Sequence, residues 1–265
     1  MKRVGLNRGG YFGERVDVHQ LLGLLRERAS DRGWRVETIA PEPAPGLWAL
    51  VRGTESAPRK IYISAGIHGD EPAGLLAAAR LVDADFWPEE VGVWLCPCLN
   101  PSGFPLNRRE ASHGLDLNRQ YLHREAPETR AHIDWLDRQP RFDLAVCLHE
   151  DWEANGFYLY ELAETLAEGW AEHLIERAGC HVPIDLAEEI EGRPASRGII
   201  RPSTDPLSRP QWPEAFYLFS RKTSLCYTLE APSDFELAAR VNALLGAVQG
   251  LVEKWACTPA VLPST

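Results

Sequence analysis

Short, almost wholly apolar runs recur along this chain with helical segments between them, and that alternation constrains the fold more than any other feature. The runs "IYISAG" (61–66), "VGVWLC" (91–96) and "FDLAVCL" (142–148) carry β-branched and aromatic residues and no polar face. A strand with one side in water alternates apolar and polar residues, whereas one without alternation is buried on both sides. The segment 72–82 that follows the first run reads as a helix, opened by Pro72 in the first turn, where a missing N–H costs nothing. Helical spacing also marks 16–29, with Val18, Leu21, Leu22 and Leu25 on one face, and the segments 125–137, 164–178 and 235–255. Strands are expected at 34–39 and 47–52, split by the Pro-rich "APEPAPG", and at 157–160 and 224–229. Strands alternating with helices predict an α/β fold: one mostly parallel sheet covered by helices on both faces. We expect a single catalytic domain over 1–256 and a flexible tail over 257–265. In such sheets the site lies beyond the carboxyl ends of the strands.

Composition narrows the function. The formal net charge is −10 and no basic run of five or more residues occurs, which argues against a nucleic-acid partner. No apolar run approaches the roughly 20 residues that span a bilayer, so no membrane partner is expected. The segment "MKRVGLNRGGYFGERVD" has charges but no apolar core, and the expected location is cytoplasmic. Of six cysteines only Cys96 and Cys98 lie close together, and Cys-Pro-Cys on one strand is a poor chelate and an awkward disulfide. Small buried thiols in a reducing compartment are expected.

Chemistry concentrates at the strand ends. The stretch "ISAGIHGDEPAG" (63–74) ends a buried strand by presenting His68 and Glu71 at the mouth of a helix, where a tight turn can bring both onto one cation. Catalytic zinc takes three protein ligands and leaves a position for water. His149 follows the apolar run 142–148 and repeats the same architecture, a buried strand that ends in histidine. His19, His132 and His173 fall on helical segments and read as surface or interface residues. His113, His123 and His181 have no second ligand beside them in the sequence. The loop "NPSGFPLNRREASHGLDLNRQY" (100–121) supplies Arg108, Arg109, Asp116, Asn118 and Arg119. Asp116 suits the carboxylate that fixes the tautomer of a metal-bound His68. An Asn-Arg pair suits a substrate carboxylate, and a second arginine suits the oxyanion of a tetrahedral intermediate.

Four motifs in order, "HGDE" (68–71), "NPSGF…R…GLDLNR" (100–119), "LHED" (148–151) and "YTLEAPS" (227–233), resemble the zinc carboxypeptidase family of carboxypeptidase A. The likeness is strongest to its short bacterial members such as the murein peptide amidases, and more distant to the succinylglutamate desuccinylase/aspartoacylase group. The resemblance implies a mixed eight-stranded sheet between helices. It implies one Zn(2+) per chain held by His68, Glu71 and His149, with Asp116 orienting His68. Arg109, rather than Arg108, would stabilise the oxyanion. Asn118 and Arg119 would grip a terminal carboxylate, and Glu230 would be the catalytic glutamate. Two positions depart from the pattern. Cys147 stands where the family commonly has Asp, and the family's mobile tyrosine has no clear match, Tyr217 reading as a structural aromatic.

The function expected is a metallocarboxypeptidase or peptide amidase that removes a C-terminal residue from a small peptide or muropeptide. The first alternative is an N-acyl amino acid deacylase. Such deacylases carry a further β-rich region after the catalytic glutamate, whereas the segment after Glu230 here reads as one helix. The second alternative is a non-catalytic metal-binding protein of the same fold. Glu150, Asp151 and Glu153, directly after His149, raise the expectation of a basic substrate group near the cleaved bond.

Overall fold

The computed structural model describes residues 2–40, 46–166, 169–205 and 209–257; the Pro-rich segment 41–45 and most of the expected tail, 258–265, lie outside the described residues. Seven strands form the main body of one mixed sheet: β1 (Arg35–Ala40), β2 (Leu47–Arg52), β3 (Arg59–Ala65), β4 (Val91–Cys96), β5 (Leu144–Asp151), β6 (Tyr158–Ala163) and β10 (Leu225–Pro232). The short strands β7 (Glu189–Ile190), β8 (Arg193–Ser196) and β9 (Ile199–Ile200) extend one edge. The order is β1-β2-β4-β3-β5-β10-β6-β9-β8-β7, ten strands among the described residues where the resemblance implies eight. The long loop expected over 186–213 folds into these three edge strands. Runs of two to four residues leave no periodicity to read; β9 pairs with β6, β8 with β9 and β7 with β8. The centre, β4-β3-β5-β10, is parallel; β1 and β2 pair antiparallel with each other, β2 with β4 and β6 with β10, while the short β9 pairs parallel with β6.

Six α-helices among the described residues cover this sheet. On one face α1 (Val18–Asp31), α2 (Pro72–Asp83), α4 (Trp170–Gly179) and α6 (Leu237–Cys257) bury Leu22, Leu75, Leu174 and Val248 against Ile61, Ile63, Val146 and Leu229. On the other, α3 (Pro127–Arg138) and α5 (Glu214–Arg221) bury Ile133, Trp135 and Phe216 against Tyr62, Trp94, Ala145 and Cys226. Each fully buried side chain of this size contributes roughly 1.5–3 kcal/mol. No helix is long and apolar enough to cross a membrane among the described residues. Helix α5 was not legible in the sequence, because its eight residues follow directly on a Pro-rich loop.

The register positions the site. The parallel ladder of β5 and β10 runs on to Asp151 and Pro232, so His149 and Glu230 lie inside strands, side by side, rather than just after them. Ala65, at the end of β3, pairs with Leu148, which places the turn that carries His68 next to His149. Close packing holds that turn down. A Cβ at Gly69 would stand 2.2 Å from the Gly103 carbonyl carbon, and one at Gly74 would stand 2.9 Å from the Leu148 oxygen. Only glycine lets the turn touch the 100–121 loop and lets α2 touch β5.

The structure corrects one expectation here. His132 is no surface residue; it is 1% exposed. Tyr121 Oη lies 2.7 Å from its Nδ1 and Tyr62 Oη 2.9 Å from its Nε2, and these partners make burial of the ring possible.

Candidate active site

One cleft of about 710 Å³ opens over the carboxyl ends of β3, β5 and β10. His68, Glu71, Arg109, Asn118, Arg119, His149 and Glu230 all line it. Helix α2 begins with Glu71 at its N-cap and Pro72 at its first position, so the geometry of the helix start sets the carboxylate.

Glu71 lies between two imidazoles. Its Oε1 meets His68 Nδ1, and its Oε2 is 2.9 Å from His149 Nδ1 and accepts from the Glu150 N–H at 3.2 Å. The potential ligand atoms of His68, Glu71 and His149 lie within 4.8 Å of one another, and all three residues are buried. His68 turns its other ring nitrogen, Nε2, toward Asp116 Oδ1 at 3.5 Å. A carboxylate there favours a proton on Nε2 and leaves the Nδ1 lone pair facing Glu71 and His149. Two imidazoles and one carboxylate, buried and convergent, could hold a metal ion, and their donor atoms fit zinc. Burial pushes the Glu71 pKa up, but His68 and His149 outweigh it and hold the group below the usual carboxylate range.

The loop 100–121 brings in the cations. Arg108 turns away and donates to the carbonyls of Ala111 at 2.6 Å and Ser112 at 2.7 Å. Arg109 faces the cleft: its Nε donates to Asp116 Oδ2 at 2.8 Å, and its Nη1 lies 3.4 Å from His68 Nδ1 and 4.0 Å from Glu71 Oε1. Asp116 also caps the 3-10 turn Leu117–Arg119 by accepting from the Asn118 N–H at 2.9 Å. One carboxylate thus positions His68, Arg109 and Asn118 together. Burial raises the Asp116 pKa, yet His68 and Arg109 hold it well below the usual range, so it stays ionised. The Asn118 Oδ1 accepts from the Glu214 N–H at 2.8 Å, which leaves its amide nitrogen as the free donor.

Glu230 sits beside His149 across the β5–β10 ladder. Burial, opposed by His149 and reinforced by the negative charge of Glu71, pushes its carboxyl well above the ordinary glutamate value. The neighbouring Asp70 is raised to about 6 by burial and by Glu71.

Glu150 does not face the cleft as an open acid. It accepts from the Ala73 N–H and pairs with Arg240, which is itself fully buried. Asp151 is half engaged, accepting from the Glu153 N–H at 2.8 Å and from Tyr158 Oη at 3.1 Å. Tyr217 donates to Asp137 at 2.6 Å and packs on Tyr121, so it serves the core on the α5 side of the sheet. Near Cys147, whose strand neighbour is Ser64, the buried carboxylate comes instead from Glu214, which accepts from Tyr62 Oη at 2.8 Å and Ser64 Oγ at 2.9 Å. Nothing in the sequence marked Glu214. Two further arginines on the cleft wall, Arg193 and Arg209, also escaped notice; neither has a carboxylate within 4.0 Å among the described residues, and Arg209 stacks on Phe216 at 4.7 Å.

Residues 57–201 match the model of the succinylglutamate desuccinylase/aspartoacylase catalytic domain. The chain belongs to this family. The matched stretch holds His68, Glu71, Arg109, Asp116, Asn118, Arg119 and His149, while Glu230 follows it. Carboxypeptidase SOL1 of Arabidopsis thaliana is 33% identical over a stretch that covers 36% of this chain and 23% of that relative, so the likeness spans less than a quarter of its length. A Shewanella denitrificans protein classed as a metallopeptidase shares the fold at a TM-score of 0.79, with 22% identity over 90% of each chain. A metallo-carboxypeptidase from Burkholderia cenocepacia aligns at a TM-score of 0.64, with 20% identity, over 89% of this chain and 68% of its own. One from Pseudomonas aeruginosa, in complex with (2-guanidinoethylmercapto)succinic acid, aligns at 0.65 with 16% identity over the same shares. The family's enzymes are hydrolases, and this chain has the metallocarboxypeptidase-like fold that such hydrolases use.

Proposed function

We propose that this protein is a zinc-dependent hydrolase that cleaves an amide bond next to a free carboxylate, releasing a C-terminal residue from a small peptide or muropeptide. The observation that carries this reading is the meeting, in one cleft, of a His-Glu-His donor set, a glutamate with a raised pKa and an Asn-Arg pair. Zinc held by His68, Glu71 and His149 would supply Lewis acidity and bring the acidity of water toward a pKa of ~7.

The chain's own residues do the rest. Glu230 takes the proton of the attacking water on its carboxylate and returns it to the leaving nitrogen. Arg109, tethered to Asp116 through Nε, keeps its terminal N–H groups for the oxyanion. Asn118 offers its amide N–H and Arg119 its guanidinium to the carboxylate, which fixes the scissile bond at the last amide. The substrate is a small soluble amide, and we propose neither a nucleic-acid nor a membrane partner.

A second reading, N-acyl amino acid deacylase, is favoured by the family match and by the open cations Arg193 and Arg209 on the cleft wall. After β10, by contrast, the described residues form only α6. Incubation of the zinc-loaded protein with peptides, muropeptide fragments and N-acyl amino acids, followed by mass spectrometry, separates the readings. Release of a C-terminal residue supports the first, cleavage of N-acyl substrates alone supports the second, and no product from either class overturns both.

A further inference from the structure

The segment 3–11 has no regular secondary structure, yet it is tied at both ends to the elements that build the cleft. At one end the Val4 N–H donates to the Asp234 carbonyl at 2.8 Å, and the Gly5 N–H donates to Asp234 Oδ1 at 2.7 Å. Asn7 Nδ2 reaches the Trp152 carbonyl at 3.4 Å. At the other end Tyr11 is 4% exposed. Its carbonyl accepts from Asn107 Nδ2 at 3.0 Å, and its hydroxyl donates to Glu14 at 2.7 Å and accepts from Arg240 at 3.2 Å. The Arg240 guanidinium also lies over the Tyr11 ring, 5.3 Å from its centre, and pairs with Glu150, the residue after His149. Between these anchors Gly9 and Gly10 form part of the cleft wall. Gly9 has φ +78° and a Cβ there would meet nothing, so the glycine serves a left-handed turn of the backbone rather than a close approach.

The position relative to the sheet gives this strap a meaning. Asn118 and Arg119 belong to a turn whose Leu117 packs in the core on the α5 side. Apart from Asn107, the strap's anchors sit at the ends of β5 and β10 and on α6, which packs on the opposite face. Gly9 and Gly10 of the strap line the same cleft as Asn118, Arg119 and Glu230, so the strap bounds the space open to a substrate whose carboxylate that pair holds. We infer that the segment 3–11 is a fixed barrier that limits the acyl side of the substrate to a short acyl group or to one or two residues. This rests on the proposed hydrolase reading, because that reading sets which end of the substrate is gripped. The anchors make the barrier rigid: a long acyl chain has to break backbone hydrogen bonds at Asp234 or Asn107 to pass.

The test is a series sharing one C-terminal residue, from an N-acetyl amino acid to a hexapeptide. Turnover is measured with the zinc-loaded protein, and affinity by calorimetry with zinc-loaded Glu230→Gln. Each is repeated with residues 2–10 deleted, and with Asp234→Ala and Asn107→Ala, which each remove one tie of the strap, to the Gly5 N–H and to the Tyr11 carbonyl, without shortening the chain. The expected result is a loss of about tenfold or more in kcat/KM and in affinity beyond the tripeptide, largely relieved by the deletion and partly by the two substitutions, with the shortest substrate unaffected. Equal handling of short and long members by the full chain, or a length preference that the three variants leave unchanged, overturns the inference. Length-dependent affinity without any turnover supports the barrier and sinks the hydrolase reading; no binding at any length overturns both.

Discussion

Two buried clusters of histidine and glutamate meet at β3, whose Tyr62 and Ser64 join the inner one and whose following turn carries His68 of the outer one, and they differ in how their polar atoms are matched. In the inner one Tyr121 donates to His132, His132 meets Tyr62, and Tyr62 and Ser64 donate to Glu214. Each donor has one acceptor, so the cluster is closed and needs no further atom. In the outer one His68 Nδ1, His149 Nδ1 and both oxygens of Glu71 converge, and the cluster faces the cleft. Two imidazole nitrogens and a carboxylate that converge at a cleft can offer lone pairs to a cation, whereas hydroxyls between acceptors make a structural network. Residue type alone does not separate the two; the presence of Tyr and Ser does.

The predictions set the two clusters against each other. Glu230→Gln preserves shape and removes the proposed proton shuttle, so kcat should fall about 10³-fold while bound metal is unchanged, as steady-state kinetics with metal analysis will show. Near-normal kcat would remove Glu230 from the mechanism. Arg109→Ala deletes the proposed oxyanion donor and should cost about 10²-fold in kcat, with a smaller change in KM; a pure KM effect would make Arg109 a binding residue only. Amidating the substrate's terminal carboxylate leaves Arg119 without its charged acceptor. A hydrogen bond to a charged group is worth roughly 1.5–3 kcal/mol, so kcat/KM should drop at least about tenfold. Equal rates for acid and amide would end the carboxylate-directed reading.

The inner cluster should answer to pH instead. Burial lowers the His132 pKa to about 3 from an ordinary 6.5. Between those values the unfolded chain binds the extra proton, so the neutral buried ring contributes stability that is complete above pH 6.5 and is lost as pH falls toward 3. The slope is up to ~1.4 kcal/mol per pH unit. Denaturant unfolding of the wild type and His132→Gln across that window should show the wild type losing the extra stability and the variant not; parallel curves would place no such burden on His132.

The outer cluster was legible because it rides on strong local signals. Apolar runs that end in "HGDE" and "HED" mark both a buried strand and the polar residues beyond it, and the strand ends of a parallel sheet bring those residues together. The inner cluster was not, since His132 on α3 has the spacing of a surface histidine, and only tertiary contact with Tyr62 and Tyr121 buries it. Glu150 misled in the opposite direction: three acids after a ligand suggest an open anionic wall, but Arg240, 90 residues away in the chain, takes up the first of them. The strap over 3–11 left no trace for the same reason, as distant contacts hold it, and the edge strands β7 to β9 are too short for periodicity, two tight turns joining them and only β9 reaching a distant strand, β6.

The most direct measurement is metal content by mass spectrometry on purified wild type, His149→Ala and His132→Gln after zinc loading and dialysis. The account predicts one zinc per chain in the wild type and in His132→Gln, and a near-complete loss in His149→Ala. Full occupancy that survives His149→Ala, or is lost with His132→Gln in a folded protein, would contradict it.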